Sequence, residues 1–186
     1  RCQGADTPAA RLAALRRYSN LGALGRITFA STKPEGLSSD AGTQALFCQA
    51  MEAAVQFAED PEGWLVLAGP SGCGKTHLAV AVANRCIERE HTTYFIVVAD
   101  LLDHLRAAYS PENPVSYDEL FEQVRNVPLL VLDDLGTHSA TPWSQEKLFQ
   151  IFNHRFSARL STVITVRSPL QRLDEGLLTR IESPDG

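Results

Sequence analysis

The 186-residue sequence predicts an α/β fold of three layers, with a parallel sheet between two layers of helices. Three observations predict it. Short, largely apolar runs recur at 64–68, 93–98, 128–132 and 162–166, the first continuously apolar and bounded by turn residues. Segments with apolar residues at helical spacing lie between them. One strand-to-helix junction is a glycine-rich octapeptide, Gly69-Pro70-Ser71-Gly72-Cys73-Gly74-Lys75-Thr76. A strand apolar along its whole length is buried on both faces, and strand–helix alternation supplies the helices that cover a parallel sheet.

The elements follow in order. Residues 1–42 read as an N-terminal helix and linker, and 43–186 as the core. Within the first part, 9–18 is a short basic helix whose Arg11, Arg16 and Arg17 form a solvated face, and 31–40 is rich in Ser, Thr, Pro and Gly and reads as a loop. From 43 to 58, Phe47, Ala50, Met51, Ala54 and Ala58 recur at helical spacing, and Asp60-Pro61-Glu62-Gly63 ends that helix. Helices are expected at 75–89, at 100–109 with Leu101, Leu102 and Leu105 on one face, and at 117–125, with a break at 110–114. Thr141 caps the next helix and Pro142 fits its first turn; its apolar face is Leu148, Phe149, Phe152 and Phe156. A helical tail follows Pro169. The chain opens on Arg1 and stops soon after that tail, so the expectation is an excised fragment.

Composition narrows the function. The length suits one compact domain. Hydrophobic residues at 44% and charged residues at 21% describe a globule, not a disordered chain. A net charge of −5 argues against a protein coated for indiscriminate duplex binding. The apolar runs are far shorter than the ~20 residues of a membrane helix. The cysteines at 2, 48, 73 and 86 form no C-x-x-C pair and no secretory signal opens the chain, so the expected compartment is the reducing cytoplasm.

The octapeptide fits G-x-x-x-x-G-K-[ST] and lies between a strand and a helix, the context such a loop requires. Glycines admit positive φ and let backbone N–H groups crowd around an anion. The following helix turns its unpaired N–H groups and positive dipole end toward phosphates. Lys75 adds a cation for the β- and γ-phosphates, and Thr76 a hydroxyl for Mg²⁺. Cys73 reads as a small loop residue. The run Leu129-Leu130-Val131-Leu132-Asp133-Asp134 is an apolar strand ending in two carboxylates, the form of a Walker B element. Asp133 suits Mg²⁺, held through water, and Asp134 suits the attacking water. If the 162–166 strand lies between the loop strand and the Asp133 strand, Thr165 and Arg167 face the γ-phosphate, as in hydrolytic ATPases of the additional-strand type. No Arg-rich lid of a small-molecule kinase is visible.

The runs G-P-S-G-C-G-K-T-H-L-A (69–79), L-V-L-D-D-L-G (130–136) and V-I-T-V-R-S-P-L…L-L-T-R-I (163–181) resemble the DnaC/IstB group of AAA+ ATPases, bacterial helicase loaders, DnaI-like primosomal proteins and transposase helpers, over about 26–182. The resemblance implies a P-loop NTPase fold that binds ATP or ADP with Mg²⁺ and hydrolyses ATP, slowly in a chain truncated before a fifth strand and a helical lid. It implies that Thr28 and Phe29 lie near the adenine, that Gly69 to Thr76 with His77 hold the nucleotide, and that Arg180 is an arginine finger acting on a neighbouring subunit's nucleotide. The implied partners are a replicative helicase or a transposase, single-stranded DNA, and other copies of the chain through the ATP interface. Arg106, Tyr109 and Arg125 fall in the DNA-facing region of such proteins. Arg167 stands where the group carries a sensor Asn, a departure that leaves a third reading beside loader and transposase helper: a nucleotide-dependent switch with negligible turnover.

Overall fold

The structure, a computed structural model, describes residues 21–110, 112–113, 115–137, 141–167 and 178–179. The basic 9–18 segment, the tail after Pro169 and Arg180 lie outside the described residues. Four strands, β1 (Trp64–Gly69), β2 (Thr93–Val97), β3 (Leu129–Leu135) and β4 (Ser161–Arg167), form one sheet in the order β1-β4-β3-β2. Every pairing is parallel. The 161–167 strand therefore lies between the loop strand and the carboxylate strand, the arrangement on which the additional-strand reading depended.

Among the described residues five α-helices cover the sheet: α1 (Ala41–Glu59), α2 (Lys75–Glu88), α3 (Val98–Ala107), α4 (Tyr117–Asn126) and α5 (Pro142–Ser157). Alternation along each strand decides which layer each side chain joins. Leu130, Leu132, Ile164 and Val166 pack with Leu101, Leu105, Leu120, Val124, Leu148 and Phe152 of α3, α4 and α5. Leu129, Val131 and Val163 turn the other way, onto Ala54 and Ala58 of α1 and Leu78, Ala79, Val82 and Ala83 of α2. The alanines keep α1 and α2 low over the sheet. No described helix is long and apolar enough to cross a membrane.

Helix starts follow local chemistry. The Asp40 carboxylate accepts from Thr43 N at 2.7 Å at the head of α1, and those N–H and hydroxyl donors hold its pKa below the usual carboxylate range. At α5, Thr141 and Ser144 bond each other's backbone N–H, with Pro142 at the first position.

One boundary and one helix face differ from expectation. The strand expected at 128–132 runs on to Leu135 across a bulge and so contains Asp133 and Asp134. Phe149 is exposed, 41% accessible, while Ile151 and Arg155 turn inward. Arg155 is fully buried yet satisfied. Its Nε donates to Thr162 Oγ1 at 2.9 Å, and its guanidinium nitrogens donate to the carbonyls of Arg125, Val127, Pro128 and Ser161. Burial lowers its pKa to about 9, which leaves it protonated at neutral pH. It ties the entry of β3 to the entry of β4, a role no apolar periodicity reveals.

Arg155→Ala should therefore cost about 3 kcal/mol in urea unfolding, since several buried acceptors lose their donor at once. Arg155→Lys should recover only part of this, because an ammonium cannot reproduce the planar fork.

Candidate functional site

The octapeptide joins β1 to α2 at the C-terminal edge of the sheet, where open α/β sheets bind ligands. Its backbone requires glycine. Gly72 has φ 79° and Gly74 φ 95°, and a Cβ on Gly69 would stand 2.8 Å from Cys73 Sγ. Gly74 is the left-handed N-cap of α2, so the helix opens without a side-chain cap and its first N–H groups stay turned to the loop. Lys75 Nζ donates to Gly69 O at 3.0 Å and Pro70 O at 2.7 Å. The ammonium is thus parked on the loop it serves. Pro70 and Ser71 are exposed at the bend.

Thr76, the second residue of α2, reaches β3. Its hydroxyl lies 2.9 Å from Asp133 Oδ1 and 3.1 Å from Oδ2. Thr165 of β4 donates to the same Oδ1 at 2.6 Å and accepts from Asp134 N at 2.8 Å. Asp133 and Thr165 are buried. The bulge falls between Leu132 and Leu135, where three steps of β3 face two of β4. It places Asp134 at φ 61°, and Thr137 Oγ1 lies 2.9 Å from the Asp134 carboxylate and 2.9 Å from its carbonyl. Asp133 thus points inward at Thr76, while Asp134 stands half-buried at the sheet edge. Arg167 ends β4 directly opposite Gly69, exposed beside the loop.

The chain before α1 forms the outer wall. His77 Nε2 lies 2.9 Å from Thr32 Oγ1, and Thr32 Oγ1 donates to Thr28 O at 2.8 Å. The hydroxyl has spent its one proton, so His77 Nε2 is the donor. Asn84 Nδ2 donates to Leu24 O and Ile27 O. Phe29 packs on the α1–α2 side of the core. Thr28 caps a 3₁₀ turn at Phe29–Ser31 through reciprocal bonds with Ser31. These two residues anchor the wall. The wall itself is Ser31 to Ser38, which with Phe47, Gly72, Cys73, Gly74 and His77 encloses a cavity of about 480 Å³. Sequence reasoning missed Thr32 and Phe47: the first read as loop, the second as one more apolar position of a helix.

A second cluster lies at the heads of α4 and α5. Tyr109 stacks on Tyr117 (centroids 4.4 Å apart, planes at 11°), and Tyr117 on Phe121 at 5.5 Å. Arg106 lies 4.8 Å over the Trp143 ring, and Lys147 5.8 Å from Tyr117. Tyr109 is 56% exposed. Burial, with the neighbouring Tyr109 phenol, holds the Tyr117 phenol protonated far above neutrality. Arg125 lies 5.9 Å over the Phe121 ring and also pairs with Glu122 at 3.1 Å and His154 Nδ1 at 3.1 Å.

Residues 41–179 match the family described as IstB-like ATP binding protein. The chain belongs to the IstB-like ATP-binding family. Among curated relatives, the replicative helicase loader DnaC of Escherichia coli (strain K12) is 27% identical over 135 residues, 71% of this chain and 55% of that protein. The replicative helicase loader DnaI of Bacillus subtilis (strain 168) is 29% identical over 67% of this chain and 40% of its own length. The ATP-binding protein of insertion sequence IS232 from Bacillus thuringiensis subsp. berliner is 32% identical over 65% and 46%. The chain spans about half the length of the curated relatives it matches. A crystal structure of the DnaC helicase loader superposes with a TM-score of 0.63 at 28% identity, over 89% of this chain and 85% of that one. AMPPCP-bound DnaA from Aquifex aeolicus shares the fold, with a TM-score of 0.66 at 20% identity over 84% and 48%. The domain of this IstB-like chain is an AAA+ P-loop domain.

Its thiols give a direct probe. Cys86 is buried, which pushes its pKa up to about 11, so it should resist alkylation at pH 8. Cys73 lines the cavity and should react, and saturating ATP should slow its labelling at least tenfold in peptide mass spectrometry. Unchanged labelling of Cys73 would take the nucleotide out of this loop.

Proposed function

We propose that this domain binds ATP across the Gly69–Thr76 loop, hydrolyses it, and uses the cycle to load a replicative helicase on single-stranded DNA. The observation that carries the nucleotide reading is the Thr76–Asp133–Thr165 hydroxyl–carboxylate contact, which joins the loop helix to the Walker B strand. Loop amides and the α2 dipole hold the phosphates. Lys75 leaves the Gly69 and Pro70 carbonyls for the β- and γ-phosphates. Thr76 and Asp133 form an all-oxygen pair suited to a hard cation and are the residues that would hold Mg²⁺; when bound, it offsets phosphate charge. Asp134 orients the attacking water, and Arg167 stands within reach of the phosphate end. Ser31 to Ser38 wall the base, with Thr28 and Phe29 behind them and His77 fixing Thr32. Arg180 of a neighbouring copy completes the charge stabilisation, so assembly follows the nucleotide state.

The loader reading draws on DnaC and DnaI among the relatives. It also draws on the Arg106–Tyr109–Trp143 cluster, whose stacked rings and cations suit bases and phosphates. A second reading, a transposase helper, draws on the family match and on the IS232 relative.

Lys75→Ala should weaken ATP binding more than tenfold by titration calorimetry. Asp134→Asn should bind ATP but lose turnover. Arg180→Ala should do likewise, and an equimolar mixture of the two should regain activity through mixed interfaces; a mixture as dead as its parts removes the trans arrangement. Tyr109→Ala should weaken binding to a fluorescent oligothymidine by about tenfold with ATP affinity unchanged, and a protein that prefers duplex would favour the transposase reading.

A further inference from the structure

Phe47 sits where two turns meet. Its ring lies 2.6 Å from the position a Cβ on Gly74 would take, and 3.1 Å from that of a Cβ on Gly36. Both glycines have positive φ, 95° and 70°. One glycine is the last residue before Lys75; the other is in the wall loop. The ring is therefore clasped between the phosphate loop and the wall, and one edge of it lines the cavity between them. The cavity's size falls in the range of small-ligand sites, roughly 300–1,000 Å³. It runs directly into Gly72, Cys73 and Gly74. Leu37, next in the chain to Gly36, also lines it and is 93% exposed although it is a large apolar side chain. A flat apolar group covalently attached to a phosphate chain would enter this cavity and meet the Phe47 ring.

We propose that Phe47 is a specificity-determining residue of the nucleotide site, the face against which the nucleobase packs. The proposal rests on the phosphate-loop reading and goes beyond it. The loop would hold any polyphosphate; Phe47 makes the site prefer one that carries a base. The size of the effect follows from base–aromatic stacking, whose loss costs about tenfold in affinity. Because the same ring touches Gly74, an alternative role is to hold the loop's shape, and the two roles separate by probe.

The test is titration calorimetry of the full chain with ATP and with inorganic tripolyphosphate, both with Mg²⁺, for wild type, Phe47→Ala, Phe47→Leu and Phe47→Tyr. Phe47→Leu keeps an apolar group against both glycines and guards against unfolding of the alanine variant, with melting temperature as the check. The expected result is a loss of about tenfold for ATP in Phe47→Leu, tripolyphosphate affinity within twofold of wild type, and near-complete rescue by Phe47→Tyr. An ATP affinity unchanged in Phe47→Leu overturns the proposal. So does an equal loss for both probes, which would make the ring a support for the loop. A wild-type chain that binds neither probe would sink the phosphate-loop reading and this inference with it, whereas failure of the inference alone leaves wild-type ATP binding intact.

Discussion

The Asp133 carboxylate receives two hydroxyl groups, one from Thr76 and one from Thr165, and so connects three strands' worth of structure at a single buried group. Thr76 belongs to the helix launched from β1, Asp133 to β3, and Thr165 to the strand between them. A buried carboxylate without donors would be costly; here each donor comes from a different element. The contact therefore fixes the spacing between the phosphate loop and the Walker B strand. The bulge after Leu132 gives it direction, sending Asp133 inward and presenting Asp134 at the edge. Thr165 does double duty, since it also accepts from the Asp134 backbone.

Around that contact the site is assembled in layers. The loop glycines set backbone direction, and α2 supplies a helix end with no side-chain cap. The face of α2 away from the sheet then recruits the wall: Asn84 holds 24–27 and His77 holds Thr32. A nucleotide that filled the cavity would touch the loop and the wall together. On the other side of the sheet, the rings of Tyr109, Tyr117 and Trp143 gather at the head of α5, which leaves the sheet just after β3.

Much of this was legible beforehand. The octapeptide could be read because its chemistry is local: eight consecutive residues contain the turn, the cation and the hydroxyl. The apolar strands could be read because a strand covered on both faces leaves few polar positions. Boundaries moved by a residue or two, as helix and strand ends do. Phe149 and Arg155 were misjudged for a shared reason. A helical stripe is wide enough to include either neighbour, and Arg155 goes inward only because four carbonyls at the entries of β3 and β4 are there to receive it. Phe47 belonged visibly to a helix face, but nothing local says that Gly36 and Gly74 come to meet it.

The sequence by itself determined the fold class, the phosphate loop and the identity of the two carboxylates, since those depend on neighbours within a few residues. The order of the strands, the pairing of Thr165 with both aspartates, the clasp around Phe47 and the sharing of rings between α3, α4 and α5 were decided only by the tertiary structure. Thr76 and Asp133, for example, stand 57 residues apart, and which of many hydroxyls or rings meet is set by how the layers pack.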